Sequence, residues 1–341
     1  MNELGTPLTV ALSLPMDSAE LDSRIREGLA TVEESLATAV SQTDRLADDV
    51  SRHLMQAGGK RVRPMLTLLA AEFGDPSRPE VVQAATAVEL THLATLYHDD
   101  VMDGAERRRG APTAHVRWTN TVAILIGDVL LARASSVVSA LGPEAVKIQA
   151  ETFERLCLGQ LHETVGPAEH EDPVAHYLQV LGDKTGSLVA TSARYGAIFS
   201  GAGPEVEAVL REYGEKVGVA FQLADDVIDL SSDGATTGKT PGTDLREHVP
   251  TLPVLLLRRE VAEGGDVASK ELLELLDGDL SDDVVLADAV ARLAAHPVTE
   301  QARAEANRWA TGATELLERL PESTARDALT AFAAATVART A

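Results

Sequence analysis

The stretch "ATAVELTHLATLYHDDVMDG", residues 85–104, combines an apolar segment with three aspartates at its end. Its apolar residues recur three and four positions apart, which is the period of an α-helix. In such a helix Asp99 and Asp103 project from the same face because they lie four residues apart. Like charges at this spacing cost about 0.2–0.5 kcal/mol. A largely buried helix that ends in them indicates that a positive charge offsets the repulsion.

The same helical period continues through most of the chain, and strand-like alternation is hard to find. Glycine and proline interrupt it near residues 57–64, 74–79, 108–113, 141–144, 166–173, 200–205 and 231–244. Between these breaks the pattern predicts helices of roughly 12 to 30 residues. Long helices joined by short loops are typical of an all-α bundle. We expect residues 1–17 to form a loose tail and residues 18–341 to form a single all-helical domain.

Composition and charge exclude several classes of protein. The formal charge of −23, from 53 acidic and 30 basic residues, argues against nucleic acid as a partner. A single cysteine, Cys157, excludes an intramolecular disulfide and indicates a reducing compartment; we expect it to pack in the core. The N-terminus lacks the features of a secretory signal, and no run of eighteen apolar residues occurs. The sequence therefore predicts a cytoplasmic protein with no transmembrane segment.

The aspartate pattern occurs twice. "HDDVMDG", residues 98–104, returns as "ADDVIDL", residues 224–230, and places Asp225 and Asp229 four residues apart after another apolar run. One such motif is compatible with a solvated acidic face. Two copies, each ending an apolar helix, favour a metal site. Carboxylate oxygens suit Mg²⁺ or Mn²⁺ better than zinc.

Basic residues lie beside the first aspartate motif. "GGKRVRP", residues 58–64, contributes Lys60, Arg61 and Arg63, and "RRR" occupies residues 107–109. Alone, either cluster is compatible with a surface patch, but beside carboxylate pairs we interpret them as diphosphate-binding sites. His92 lies two helical turns before Asp99 and shares its face; the alternative is a buried structural histidine. We interpret His98 as structural.

Five motifs in order, "GGKRVRP", "LYHDDVMDGAERRRG", "GDKTGSL", "FQLADDVIDL" and "GKTPGTDL", resemble those of the trans-isoprenyl diphosphate synthases, also called polyprenyl synthetases. The resemblance covers roughly residues 45–260. It implies an isoprenoid synthase type bundle of long helices around a central cavity, usually a homodimer. It also implies a Mg²⁺-dependent prenyltransferase that condenses isopentenyl diphosphate with an allylic prenyl diphosphate, head to tail and trans.

The resemblance also implies roles for individual residues. Asp99, Asp103, Asp225 and Asp229 would bind three Mg²⁺ ions, or Mn²⁺, together with the diphosphate. Arg108 and Lys239 would contact the allylic diphosphate. Isopentenyl diphosphate would be held by Lys60, Arg63, His92 and Arg109. The residues that would face the reacting carbon are Lys184, Thr185 and Gln222.

Small residues before the first aspartate motif bear on product length. Ala84, Ala87, Thr91 and Ala94 form a stripe on the predicted helix, with Thr95 beside the last. One helical turn rises about 5.4 Å, roughly one extended isoprene unit. The stripe predicts a medium- or long-chain product of about C30 to C50. Transient membrane contact for release of such a product is compatible with the sequence but is not indicated by the stripe. The alternative is that the small residues merely allow close helix packing.

One departure and two rival functions remain open at this point. The family commonly has glycine and lysine before "TLP", where this chain has His248 and Val249, which bears on diphosphate affinity. A class I terpene cyclase would use a similar metal site, but its second motif usually resembles NDxxSxxxE rather than DDVID. A non-catalytic subunit of a heteromeric prenyl synthase would be expected to lose aspartates, whereas all six are present.

Overall fold

The computed structural model describes residues 18–231 and 241–338. The first helices are α1 (Ala19–Ala39), α2 (Arg45–Gln56), α3 (Val62–Ala71), α4 (Pro79–Met102), α5 (Ala114–Arg117), α6 (Asn120–Ala140) and α7 (Pro143–Val165). They are followed by α8 (Pro173–Leu181), a π-helical turn (Gly182–Gly186), α9 (Ser187–Ser200), α10 (Pro204–Ser231) and α11 (Thr243–Arg246). The last helices are α12 (Leu252–Ala262), α13 (Val267–Leu276), α14 (Asp283–Ala295), α15 (Pro297–Leu317) and α16 (Thr324–Ala338).

The predicted all-α class is confirmed. The helix breaks also fall where glycine and proline indicated, as far as those residues are described. One exception is a short antiparallel pair of strands, β1 (Arg107–Arg108) and β2 (Ala111–Pro112), with Arg107 opposite Pro112. The predicted tail, residues 1–17, lies outside the described residues, as does part of the break at 231–244.

Short polar side chains begin several helices. Asp44 accepts a hydrogen bond from the Ala47 amide at 2.9 Å at the start of α2, and Asp172 accepts one from Ala175 at 2.8 Å at the start of α8. Thr119 does the same for α6 through Val122 at 3.2 Å. These N-caps satisfy amides that lack a partner within the helix. The helix boundaries are therefore encoded locally.

The chain divides into two compact units, each made of three segments. One comprises the described residues of Met1–Glu154 with Leu188–Gly214 and Leu317–Ala331; the other comprises Arg155–Ser187, Glu215–Leu316 and the described residues of Phe332–Ala341. The expectation of one domain over residues 18–341 stays a prediction.

The first unit is organised around α4. This helix packs against α6, α3 and α1, and its fully buried side chains include Leu90, Leu93 and Tyr97. They join one apolar cluster with residues of α1, α2 and α6. The end of α4, where the first aspartates lie, is thereby fixed by packing along its whole length.

The second unit contains two apolar clusters. One joins the C-terminal half of α10 to α12 and α15 through residues such as Val227, Leu252 and Ala306. The other joins α12, α13 and α14 through Leu257, Leu272 and Leu293. The last turns of α10, which carry the second aspartate motif, rest on the first of these clusters.

Two expectations about exposure are modified. Cys157 is exposed rather than packed in the core, because it lies on the outer face of α7. Among the described residues one helix, α6, is long and apolar enough to cross a membrane by length and composition alone, and 33% of its apolar window is buried. Because α6 packs on α4 in the apolar cluster of the first unit, and core helices of soluble proteins pass the same test, this is weak evidence for a membrane span.

Candidate active site

The three aspartates of the first motif, at the end of α4, differ in solvent exposure. Asp99 is half-buried and Asp103 is exposed at the C-cap, where its amide donates to the Asp99 carbonyl at 2.8 Å. Asp100 is fully buried and forms an ion pair with the Arg108 guanidinium. Burial raises the pKa of Asp100, although the Arg108 charge opposes that rise. Asp99 and Asp103 are therefore the more solvent-exposed carboxylates of the motif.

The second motif repeats this division of roles on α10. Asp225 and Asp229 are half-buried, whereas Asp226 is buried and accepts hydrogen bonds from the Tyr177 hydroxyl and, at 3.3 Å, from the Gln222 amide. Burial raises the pKa of Asp226 well above its usual range, and neighbouring carboxylates reinforce the rise. Asp226 is thus a structural residue, and Gln222 is oriented by contact with it.

The arginines of the first unit cluster around His92. Burial lowers the pKa of His92 well below its usual value, and the charges of Arg63, Arg109, Arg108 and Arg61 lower it further. His92 is therefore neutral at pH 7, with one ring N–H to donate. Two of these cations, Arg61 and Arg108, pair with carboxylates. A neutral donor beside the other two, Arg63 and Arg109, and on the same helix as Asp99, is an arrangement suited to a multiply charged anion.

The side chains of Arg109 and Arg63 differ in their hydrogen bonds. Arg109 adopts a left-handed backbone with φ 52° and donates through Nη1 to the Gly58 carbonyl and, at 3.3 Å, to the Leu54 carbonyl. A Cβ on Gly59 would lie 2.8 Å from this guanidinium, so the glycine allows the approach. Arg63 has a buried Nε that bonds no acceptor among the described residues. Lys60 is exposed just before α3.

Arg61 is a buried ion-pair hub that the sequence alone did not indicate. Its side chain is 2% exposed and its guanidinium bonds Glu89 at 2.9 Å as well as Glu33 and the Met55 carbonyl. The backbone of Arg61 is left-handed, with φ 48°, immediately before α3. Arg61 therefore fixes the loop that carries Lys60 and Arg63.

The "GDKTG" motif forms the π-helical turn between α8 and α9. Arg155 stabilises this turn through salt bridges to Asp183 at 2.6 Å and to Glu215 at 2.7 Å. A Cβ on Gly159 of α7 would lie 2.7 Å from the Lys184 amide, so that glycine permits close packing. Single π turns occur frequently at functional sites. Lys184 and Thr185 are both half-buried on this turn, and Lys184 forms an ion pair with Glu163.

The sequence analysis did not identify two carboxylates near the second motif, Asp244 and Glu163. The Asp244 amide donates to Asp229 Oδ2 at 3.3 Å, and the charge of Asp244 acts on Asp226. Glu163 pairs with Lys184 and also acts on Asp226. Asp244 lies in the motif "GKTPGTDL", which could have drawn attention to it, whereas Glu163 lies in none of the quoted motifs. Lys239 of the same motif lies outside the described residues.

His248, at the position where the resemblance implies a glycine, has a left-handed backbone with φ 54° and is exposed. Glycine would adopt that conformation without strain. Among the described residues no group of three or more His, Cys, Asp or Glu is placed to hold a metal ion. The carboxylates occur as the pairs Asp99–Asp103 and Asp225–Asp229.

Comparison with known proteins agrees with the motifs. The polyprenyl synthetase family model matches residues 44–292. A nonaprenyl diphosphate synthase from Mycobacterium tuberculosis is 45% identical over 98% of this chain and 99% of its own length. A geranylgeranyl pyrophosphate synthase from Corynebacterium glutamicum, solved with calcium and isoprenyl diphosphate, is 45% identical with a TM-score of 0.84, over 95% of this chain and 99% of that one. A decaprenyl diphosphate synthase from Rhodobacter capsulatus is 32% identical with a TM-score of 0.84, over 94% of this chain and 99% of that one.

The fold, the paired carboxylates and these relatives define an enzyme that transfers prenyl groups and uses divalent metal. The chain belongs to the polyprenyl synthetase family. It is a trans-prenyltransferase of isoprenoid biosynthesis, which condenses isopentenyl diphosphate with an allylic diphosphate.

Proposed function

We propose that this enzyme repeats the condensation to make a medium- or long-chain polyprenyl diphosphate of about C30 to C50. The observation that carries the diphosphate assignment is the cluster of arginines around neutral His92, on the helix that ends at Asp99. Relatives of equal identity are named for nonaprenyl and geranylgeranyl products, so their names leave the length to be measured.

The site residues divide by substrate. Lys60, Arg63, His92 and Arg109 bind isopentenyl diphosphate, with His92 as a neutral N–H donor and the others as cations. Arg108 and Lys239 bind the allylic diphosphate. Because Arg108 also pairs with Asp100, its guanidinium is oriented before substrate arrives. The residues that face the reacting carbon are Lys184, Thr185 and Gln222.

Asp99, Asp103, Asp225 and Asp229 are the proposed metal ligands, and their chemistry fits Mg²⁺. Mg²⁺ is usually bound by one or two carboxylates together with water and substrate phosphates, rather than by a cage of protein ligands. The half-buried or exposed pairs match that donor set, and Mn²⁺ takes the same oxygen ligands. Three ions with the diphosphate, when bound, would neutralise the leaving group.

The protein residues act where charge develops. As the bond from C1 of the allylic substrate to its diphosphate oxygen breaks, that oxygen gains negative charge, and the guanidinium of Arg108 and the ammonium of Lys239 stabilise it. Arg63, Arg109 and His92 hold isopentenyl diphosphate so that its π bond attacks the allylic carbon. A proton then leaves the new chain for the departed diphosphate. No Ser, Cys or Lys nucleophile is needed.

We further propose a cytoplasmic homodimer that contacts a membrane transiently to release its product. Exposed apolar side chains on α5 and α6 support a self-association surface: Val116 is 51% exposed, Ile124 42% and Leu125 57%. Sedimentation velocity of the purified enzyme checks the dimer. A Leu125→Glu variant should shift it to monomer, and a wild-type monomer would contradict the proposal.

The deciding experiment incubates purified protein with Mg²⁺, labelled isopentenyl diphosphate and farnesyl diphosphate, and measures product length. A ladder that ends at C30 or beyond supports the proposal, and products that stop at C20 contradict the proposed length. A hydrocarbon formed without incorporation of label would favour a terpene cyclase instead. No reaction with any allylic primer would favour a non-catalytic subunit that needs a partner.

A further inference from the structure

The face of α4 that leads away from Asp99 becomes fully buried at Thr91. Thr95 lies one helical turn before Asp99 and is half-buried, whereas Thr91, a further turn away, is fully buried. Ala84 and Ala87, beyond Thr91, are fully buried as well. Eight residues of helix separate Thr91 from Asp99, which is about 12 Å or roughly two extended isoprene units. Along the row Asp99, Thr95 and Thr91, partial exposure therefore ends at Thr91.

The side chain that covers Thr91 comes from α7. The Gln149 amide nitrogen Nε2 donates to Thr91 Oγ1 at 2.7 Å, and Gln149 is only 8% exposed. The Thr91 hydroxyl itself donates to the Ala87 carbonyl at 2.9 Å. Since that hydroxyl has one hydrogen, it must accept from Gln149. The orientation of the amide is therefore fixed, with Nε2 towards α4.

The other end of the amide, Gln149 Oε1, has no partner among the described residues. Gln149 Oε1 is buried and accepts no hydrogen bond from the part of the chain that the structure describes. An unsatisfied buried carbonyl destabilises a fold, and an apolar side chain of equal size would avoid the loss. Packing alone therefore does not account for a glutamine here. Because Thr91 is the amide's one described tether, rotation of the side chain breaks a single hydrogen bond.

We propose that Gln149 is a length-controlling gate for the growing prenyl chain. This inference rests on the proposed elongating activity. A chain that extends from Asp99 past Thr95 meets the Gln149 amide at Thr91, and further growth requires the amide to leave Thr91 and turn aside. Chains of about two to three units fit before the gate, and longer ones form only after it opens. Gln149 thereby determines how readily short intermediates proceed to the final product.

The test compares product distributions over time for the wild-type enzyme and Gln149 variants, with geranyl diphosphate as primer, because its two units fit before the gate. Gln149→Met keeps the volume and removes the hydrogen bond, so it should raise the ratio of C20-and-longer to C15 products about three- to tenfold, the effect of one neutral buried hydrogen bond. Gln149→Phe is bulkier and should lower that ratio by a similar factor. Tyr213→Phe is the matched control, since it removes a buried 2.6 Å hydrogen bond to the Leu329 carbonyl far along the sequence from α4 and α7.

The outcomes separate this proposal from the proposed activity. If wild-type enzyme incorporates isopentenyl diphosphate, but Gln149→Met and Gln149→Phe both give its product distribution, the gate is overturned and the activity stands. If wild-type enzyme incorporates none, the activity fails first. Gln149→Met is the variant least prone to unfold because it leaves no cavity. A shift caused equally by Tyr213→Phe would also overturn the gate.

Discussion

Replacement of Glu89 by glutamine should destabilise the protein by about 3 kcal/mol. Glu89 and Arg61 are each 2% exposed at the side chain, and their ion pair is 2.9 Å long. Removal of one partner from a buried pair costs about 3–5 kcal/mol, because the remaining charge loses its compensation. We place this variant at the lower end because Glu33, 30% exposed, still contacts Arg61.

The assay is urea unfolding followed by far-ultraviolet circular dichroism, which reports the helices directly. With a slope near 3 kcal/mol per molar urea, the midpoint should fall by about 1 M. The matched control is Glu80→Gln on the same helix, whose pair with Arg78 spans 3.8 Å between side chains 40% and 43% exposed. Such surface pairs contribute about 0–1 kcal/mol. The hub interpretation would be refuted if the two variants had midpoints within experimental error of each other.

The site gives three further predictions. Asp99→Asn and Asp225→Asn should each abolish Mg²⁺-dependent turnover with unchanged circular dichroism, and near-normal turnover of either would contradict the metal assignment. Asp100→Asn should instead lower the urea midpoint, because Arg108 loses its buried partner. Because the pKa of His92 is depressed in the folded state, the unfolded chain binds a proton that the folded one does not as pH falls below about 6.5, so stability declines there. Between pH 7 and 5.5 the loss is at most about 1.2 kcal/mol, the limit in which folded His92 stays neutral, and a His92→Gln variant should lose this part of the pH dependence. Gly127→Ala should destabilise the protein by about 1–3 kcal/mol, since the added Cβ would lie 2.3 Å from His98 Nε2. A His98→Ala, Gly127→Ala double variant should recover most of the loss. No recovery would show that the backbone, and not His98, restricts the space at position 127.

Features encoded by neighbouring residues could be predicted from the sequence. The i, i+4 aspartate pairs, the helices that carry them and the glycine-marked breaks all depend on local periodicity and turn chemistry. The predicted role of His92 near the metal ligands is consistent with its position among the arginines, although its ligand contacts remain a prediction. The interpretation of His98 as structural agrees with its packing against Gly127.

Features encoded by distant residues could not be predicted. Arg61 stood in the motif as one cation among three, and its partners Glu33 and Glu89 each lie 28 positions away. Thr91 was identified as part of a small-residue stripe, but the glutamine that covers it is 58 positions further on. The π-helical turn at Gly182–Gly186 has no local signature, because it depends on Arg155 reaching across to Asp183 and Glu215. In each case a side chain from another helix decides the role.

The buried second aspartate of each motif changes how such motifs should be read in other chains. Asp100 and Asp226 are anchors whose partners, Arg108 and Tyr177, lie in separate segments. Adjacent positions of the string DDxxD therefore have different roles in this chain: the second aspartate makes the site rigid, and the aspartates beside it are the proposed metal ligands. A homologue with a different second letter is not thereby disqualified as an enzyme, provided that its compensating partner has changed as well. Covariation of these positions with the arginine and the tyrosine is the signature to seek across the family.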